Sequence, residues 1–326
     1  MKTMNQLLSS VLAAVLAGVL GATPVLADTF PSKPIRLVVP FGAGGVADLT
    51  ARTVAQKMSE SLGQPIVVDN KPGAGGVVAG DAVAKAEPDG YTLLLMSNGT
   101  AVSAGLFKSL PFDAVRDFAP ISTMGYFDLA VLASPNAPYK TMADLLAYAK
   151  ANPGKLNVGT VNIGSTQNLA AELLKTRAGV DFLVVPFNGT PALTTALRGG
   201  QIDVAVEILG PMMGQVQSKA IRALAVLSDT RASQLPDVPT LMQSGVKDFD
   251  VSSWNALAAP AKTPKDVIAR LNKEVQAAVN SPDVKKKLYE LNVEARGSTP
   301  EKLGELLASE IKRWSDVIAK ANVPKL

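Results

Sequence analysis

The soft or titratable side chains available for chemistry here are Asp, Glu, Lys and Tyr, because the 326 residues include no cysteine and no histidine. That removes disulfides, thiolate nucleophiles, imidazole bases and metal sites built on His or Cys. No Gly-x-Ser-x-Gly and no Walker loop occurs, so the composition weighs against a hydrolase or a metalloenzyme. What the chain offers instead is glycine. An apolar, β-branched run from Ile35 ends at Pro40, and Phe41-Gly42-Ala43-Gly44-Gly45 follows. A helical pattern then begins, with Ala51, Val54, Ala55, Met58 and Leu62 on one face. Strand, glycine loop and helix together aim free N–H groups and a positive helix end at an anion.

This loop can be read three ways. Gly42–Ala47 fits Gly-x-Gly-x-x-Gly/Ala after a strand, with Asp69 ending the next strand as a ribose-binding acid would. That is the pattern of a nicotinamide-dependent oxidoreductase. It can also be a tight turn with no ligand, or a cradle for a small anion. A second glycine loop, Asp69-Asn70-Lys71-Pro72-Gly73-Ala74-Gly75-Gly76, favours the cradle, since it places two backbone surfaces at one carboxyl edge of a sheet. Gly164-Ser165-Thr166-Gln167 and Gly189-Thr190 sit at matching positions further on and offer hydroxyls and amides. N-capping would explain Ser165 and Thr190 equally well. Asp48 reads as a helix cap and Asp203 as a mid-strand acid. Glu207, at the end of its strand, either receives an ammonium or hydroxyl of a ligand or fixes a loop.

The elements that would carry these loops alternate. Strands are expected at Ile35–Val39, Ile66–Val68 and Tyr91–Met96, with helices at Asp48–Leu62 and Val77–Ala86 between them. Ser97-Asn98-Gly99-Thr100 is expected as a polar exit loop. The order β-α-β-α-β predicts parallel strands with right-handed crossovers. A second α/β unit follows. It has a helix capped by Thr141, strands at Leu156–Thr160, Phe182–Val185, Ile202–Val206 and Ala223–Leu227, and helices at Thr166–Ala178 and from Pro191. Phe118–Ala133 and Val251–Ala258 read as the two crossings between units. That gives one discontinuous domain (28–127 plus 251–326), a second (128–250), and a cleft between them. The C-terminal helices, starting near Thr263, Ser281 and Thr299, belong to the first domain.

Length and composition agree. At 47% hydrophobic and 18% charged residues, the chain can build a large core without disulfides. A net charge of +4, with Lys285-Lys286-Lys287 as the densest basic run, gives no sign of nucleic-acid binding. Met1-Lys2, the apolar Leu7–Leu20 and small residues up to Ala27 read as a secretory signal peptide cleaved before Asp28. A periplasmic protein is therefore expected.

Several segments resemble the Bug-type substrate-binding proteins of tripartite tricarboxylate transporters. They are Val39–Gly45 with Asp48, Asp69–Gly76, Pro88-Asp89-Gly90-Tyr91-Thr92-Leu93-Leu94, Gly200-Gln201-Ile202-Asp203, Arg222–Val226 and Pro236-Asp237-Val238-Pro239-Thr240. They run in family order over essentially the whole mature chain. The resemblance implies a type II periplasmic binding fold whose two α/β domains close on a small carboxylate without chemistry, cofactor or metal. It implies membrane transporter subunits as partners and a monomer. Carried over, the ligand-binding residues would be Phe41, Gly42, Ala43, Gly44, Gly45, Asp48 and Gly76 on one side. Ser97 and Thr100 would line the cleft, and Gly164, Ser165, Thr166, Gln167, Thr190 and Glu207 would complete it. Presentation of the ligand to a sensor kinase is an alternative on the same fold. The chain departs from the family at Asn168 and Ala101, where histidine is frequent, at Glu207, where aspartate is common, and at Val77-Val78, which replaces a more polar pair.

Overall fold

The computed structural model describes residues 30–326, so the signal-peptide reading and the cleavage after Ala27 lie outside the described residues. Ten α-helices and ten strands are present among them. The first three strands, β1 (Ile35–Val39), β2 (Ile66–Asn70) and β3 (Thr92–Ser97), are parallel in the order β2-β1-β3. Leu93–Ser97 of β3 is buried at every position, as a parallel strand covered on both faces should be. The crossovers are α1 (Val46–Leu62), closed by Gly63 in the left-handed conformation, and α2 (Val77–Ala84), entered through a short 3-10 turn at Ala74–Gly76. The expected helix to Ala86 stops two residues earlier.

A second set repeats the order. β5 (Asn157–Val161), β6 (Leu183–Phe187) and β7 (Val204–Ile208) run parallel as β6-β5-β7. Their crossovers are α5 (Thr166–Ala178) and α6 (Thr190–Arg198), and α4 (Met142–Ala151) precedes them. Asp203 was expected within a strand. It lies just before β7 and accepts a hydrogen bond from the Asn157 backbone N–H at 2.8 Å.

One strand joins the two sets. β4 (Phe118–Ala133) is 16 residues long. Through Asp128 it pairs with β9 (Ser252–Pro260), and from Leu129 onward with β7. β8 (Arg222–Val226) and β10 (Val293–Ala295) also flank β4. The result is a single ten-stranded mixed sheet, β2-β1-β3-β9-β4-β7-β5-β6 with β8 and β10 beside β4. The expected crossing at Val251–Ala258 resolves more finely. Val251 still donates its N–H to Leu227 at 2.8 Å, while every residue of β9 belongs to the first set. The return therefore lies at Val251–Ser252, and Lys33–Leu326 clusters as one compact unit.

Two helices missing from the sequence expectation are α3 (Asn98–Leu106), after β3, and α7 (Leu209–Gln217), after β7. The C-terminal helices α8 (Lys265–Asn280), α9 (Pro282–Glu290) and α10 (Pro300–Lys320) cover the first set. α10 packs Leu303, Leu307, Trp314 and Ile318 into the core beside Val102 and Leu106 of α3. No helix among the described residues is long and apolar enough to cross a membrane.

Candidate functional site

In each strand set the connection reverses beside its first strand, so the helices after β1 and β3, and after β5 and β7, begin at a topological switch point. That is where open α/β sheets leave a crevice at their carboxyl ends. Here the two crevices share one cleft of about 760 Å³. Gly45, Val46 and Ala47 bring the start of α1 to it, and Gly73, Gly75 and Gly76 the approach to α2. Ser97 and Gly99 add α3, Thr166 and Gln167 add α5, Thr190 adds α6, and Ile208 adds α7.

The first turn of each helix holds backbone N–H groups that no helical carbonyl can reach, and the helix dipole places positive charge there. Among the described residues no lysine or arginine lines the cleft, and Glu207 is the one charged side chain there. An anion in this space would be held by main-chain donors and hydroxyls, without guanidinium pairing.

The loop before α1 is braced from behind. Asp48, 1% exposed, accepts from the Gly44 N–H at 2.8 Å, from Arg52 Nε at 3.0 Å and from Asn70 Nδ2 at 2.9 Å. Asn70 Nδ2 also reaches the Phe41 carbonyl at 2.9 Å. Burial pushes the Asp48 carboxyl up, but the hydrogen bonds from Arg52, Gly44 and Asn70 outweigh it and hold it below the ordinary aspartate range. Asp48 is thus a fixture of the loop and does not line the cleft; nor do Gly42, Ala43 and Gly44.

Ser97-Asn98-Gly99-Thr100 is a helix start where an exit loop was expected. The Ser97 hydroxyl accepts from the Gly99 N–H at 3.1 Å, and the Thr100 hydroxyl accepts from the Ser97 N–H at 3.2 Å. This reciprocal cap occupies Thr100, which does not line the cleft. The start of α5 is likewise closed. The Ser165 hydroxyl accepts from the Asn168 N–H at 3.1 Å and donates to the Val161 carbonyl at 2.8 Å, while Asn168 Oδ1 accepts from the Gly164 N–H at 3.1 Å.

Two contacts bridge the strand sets. Asn98 Nδ2 donates to the Thr166 hydroxyl at 2.9 Å, and Trp314 Nε1 holds the other amide atom of Asn98 at 2.8 Å. Leu106 fits against Gly164, where a Cβ would come within 2.2 Å of Leu106 Cδ2. Gly164 also has φ +77°, so no other residue suits the position.

At the floor of the cleft Glu207 Oε1 accepts from Gln167 Nε2 at 2.9 Å and from the Ile208 N–H at 2.8 Å. Glu207 Oε2 and both amide atoms of Asn255 are buried and have no hydrogen-bond partner among the described residues. Burial pushes the Glu207 carboxyl up, only partly opposed by Gln167 and Ile208. Among the described residues no cluster of acids could hold a metal ion.

Ten of the expected site residues therefore line one cleft: Phe41, Gly45 and Gly76, then Ser97 and Gly164, then Ser165, Thr166, Gln167, Thr190 and Glu207. Sequence reasoning missed the walls contributed by Phe107, Phe127, Ile163 and Pro211, and it missed Asn255. Asn255 stood inside an expected extended stretch, and a lone amide in an apolar strand was the available signal. Asp69, a ribose-binding acid only under the nucleotide reading, is held by Arg36 at 2.6 Å.

A family model described as "Tripartite tricarboxylate transporter family receptor" matches residues 50–323. Protein BugT of Bordetella pertussis is 36% identical over 299 residues, spanning 91% of this chain and 92% of BugT. The periplasmic binding protein BugD superposes with a TM-score of 0.78 at 33% identity, over 91% of this chain and all of that one. An R. palustris protein solved with adipate superposes with a TM-score of 0.81 at 32% identity, over the same shares.

Proposed function

Because the chain belongs to the tripartite tricarboxylate transporter receptor family, we propose that it is an extracytoplasmic receptor that binds a small carboxylate in this cleft. It delivers the ligand unaltered to the membrane subunits of such a transporter. The family and its solved neighbours are binding proteins, and the chain is a receptor and not an enzyme. The observation that carries the ligand class is the convergence of helix N-termini from both strand sets on a space without cationic side chains. One carboxylate there would share several oriented N–H donors, with the starts of α1, α3 and α5 held by a brace or a cap.

Residues 28–127 with 251–326 form one lobe and 128–250 the other. The strand-pairing switch between Asp128 and Leu129 and the return at Val251–Ser252 support that division to within about a residue. Closure about these two crossings would bury the ligand and present a composite surface to the transporter. The protein acts as a monomer in the periplasm, after loss of residues 1–27.

A thermal-shift screen against carboxylates tests the reading. A ligand bound by the native state alone raises the melting temperature, by an amount set by its concentration relative to Kd. Stabilisation by at least one carboxylate and none by NAD(H) is expected. Stabilisation by NAD(H) alone would overturn it and return the Gly42–Ala47 fingerprint to a nucleotide role.

A further inference from the structure

Resting on the receptor reading above, we infer that the cleft takes a monoanionic carboxylate with an apolar body of aromatic-ring size, and that Glu207 discriminates against a second carboxylate on the ligand.

The walls point to the apolar body. Beyond the amide donors, the cleft is faced by Phe41, Phe107, Phe127, Ile163, Ile208 and Pro211. Two of the rings are set in place. Phe107 packs where a Cβ on Gly75 would stand, at 3.3 Å, and the edge of Phe41 is 3.9 Å from the corresponding point on Gly99. A ligand that is polar throughout would leave these surfaces uncovered. A ring or hydrocarbon chain would be removed from water against them.

The charge distribution points to a single negative group. The helix N-termini supply partial positive charge at the start of each helix, and it fades within a turn. A carboxylate head group satisfies them. A second carboxylate at the far end would find no lysine or arginine in the lining. It would meet Glu207, 1% exposed, with Oε1 committed to Gln167 and Ile208 and no cation beside it. Two carboxylates in that space repel, or one must first take up a proton. Glu207 Oε2 and the Asn255 amide remain suited to a neutral N–H or O–H on the ligand body.

Isothermal titration of the purified protein at neutral pH with benzoate, hexanoate, adipate and malate tests this. Benzoate or hexanoate is expected to bind at least about tenfold more tightly than either diacid. Adipate or malate binding as tightly or more tightly overturns this inference and leaves the receptor reading standing. Binding by none of these probes or of the wider carboxylate screen overturns both. Glu207→Gln keeps the acceptor for Gln167 and Ile208 and offers an amide in place of Oε2. It is expected to shift the adipate-to-benzoate affinity ratio toward adipate by roughly fivefold or more. An unchanged ratio removes Glu207 as the discriminating residue. Phe41→Ala alters a ring that is 38% exposed, so folding is not at stake. It is expected to weaken benzoate roughly threefold or more while leaving malate within that margin. Equal loss for both acids contradicts the role given to the aromatic walls.

Discussion

Asp48 and Glu207 are both 1% exposed, yet their surroundings push them in opposite directions. Asp48 is surrounded by donors that favour its charged form, so its carboxyl titrates lower in the folded chain than in the unfolded one. Such a group contributes stability above the ordinary aspartate range, and that contribution is lost as pH falls through the folded value. Asp48→Asn should cost roughly 1–3 kcal/mol at neutral pH, since it breaks a buried network that includes the Gly44 N–H. The gap to the parent protein should narrow in acid, which melts at a series of pH values would show. Glu207 has the opposite sign. Burial without a cation raises its carboxyl, so its stabilising contribution is present in acid and is lost as pH rises through the folded value. Glu207→Gln should therefore raise unliganded stability at neutral pH by about 1 kcal/mol, with the gain fading below the ordinary glutamate range. The same melts read both signs, and a Glu207→Gln protein less stable than its parent at neutral pH would contradict the burial argument.

At the scale of elements, what matters is where helices begin. α5 starts at Thr166 as the sequence indicates, because Ser165 caps it with a local hydrogen bond that short-range pattern reading can detect. α3 was hidden. Asn98, Gly99 and Thr100 are poor helix formers, and the Ser97–Thr100 cap that starts the helix is also the signature of a turn. α7 contains Gly210, Pro211 and Gly214, which read as breakers, and it exists because β7 delivers it against the core at Leu209 and Met212. The glycine loops were legible as strand-to-helix turns because strand, loop and helix lie next to each other in the chain. Asn255 and Phe127 were not, since only long-range strand pairing brings them to the same space, and Phe107 was not because it ends the hidden helix α3. Gly164 joins both levels, for it needs a left-handed backbone and also receives Leu106 from the other strand set. Gly164→Ala should destabilise the protein by roughly 1–3 kcal/mol in chemical denaturation. Adding Leu106→Ala should relieve the clash but not the backbone strain, so only part of that loss should return. Full recovery would show that the φ of Gly164 carries no cost.

The whole molecule is two copies of one topological idea set along a shared sheet. β2-β1-β3 and β6-β5-β7 each leave a crevice, and β4 holds them facing each other by changing partners at Asp128–Leu129. The alternation of strands and helices made both halves legible from sequence. The long extended stretch at Phe118–Ala133 was legible too, and β4 occupies those residues. That β9 lies wholly with the first half was not legible, because periodicity does not reveal partners. The central claim is that main-chain N–H groups on both sides of the cleft hold a carboxylate that leaves unchanged. Backbone-amide chemical shifts, followed across the assigned protein during titration with a bound carboxylate, test it most directly. The account predicts the largest downfield shifts at Val46, Ala47, Thr166 and Gln167, saturating together at one affinity. Shifts confined to one strand set, or centred outside the cleft, would contradict it.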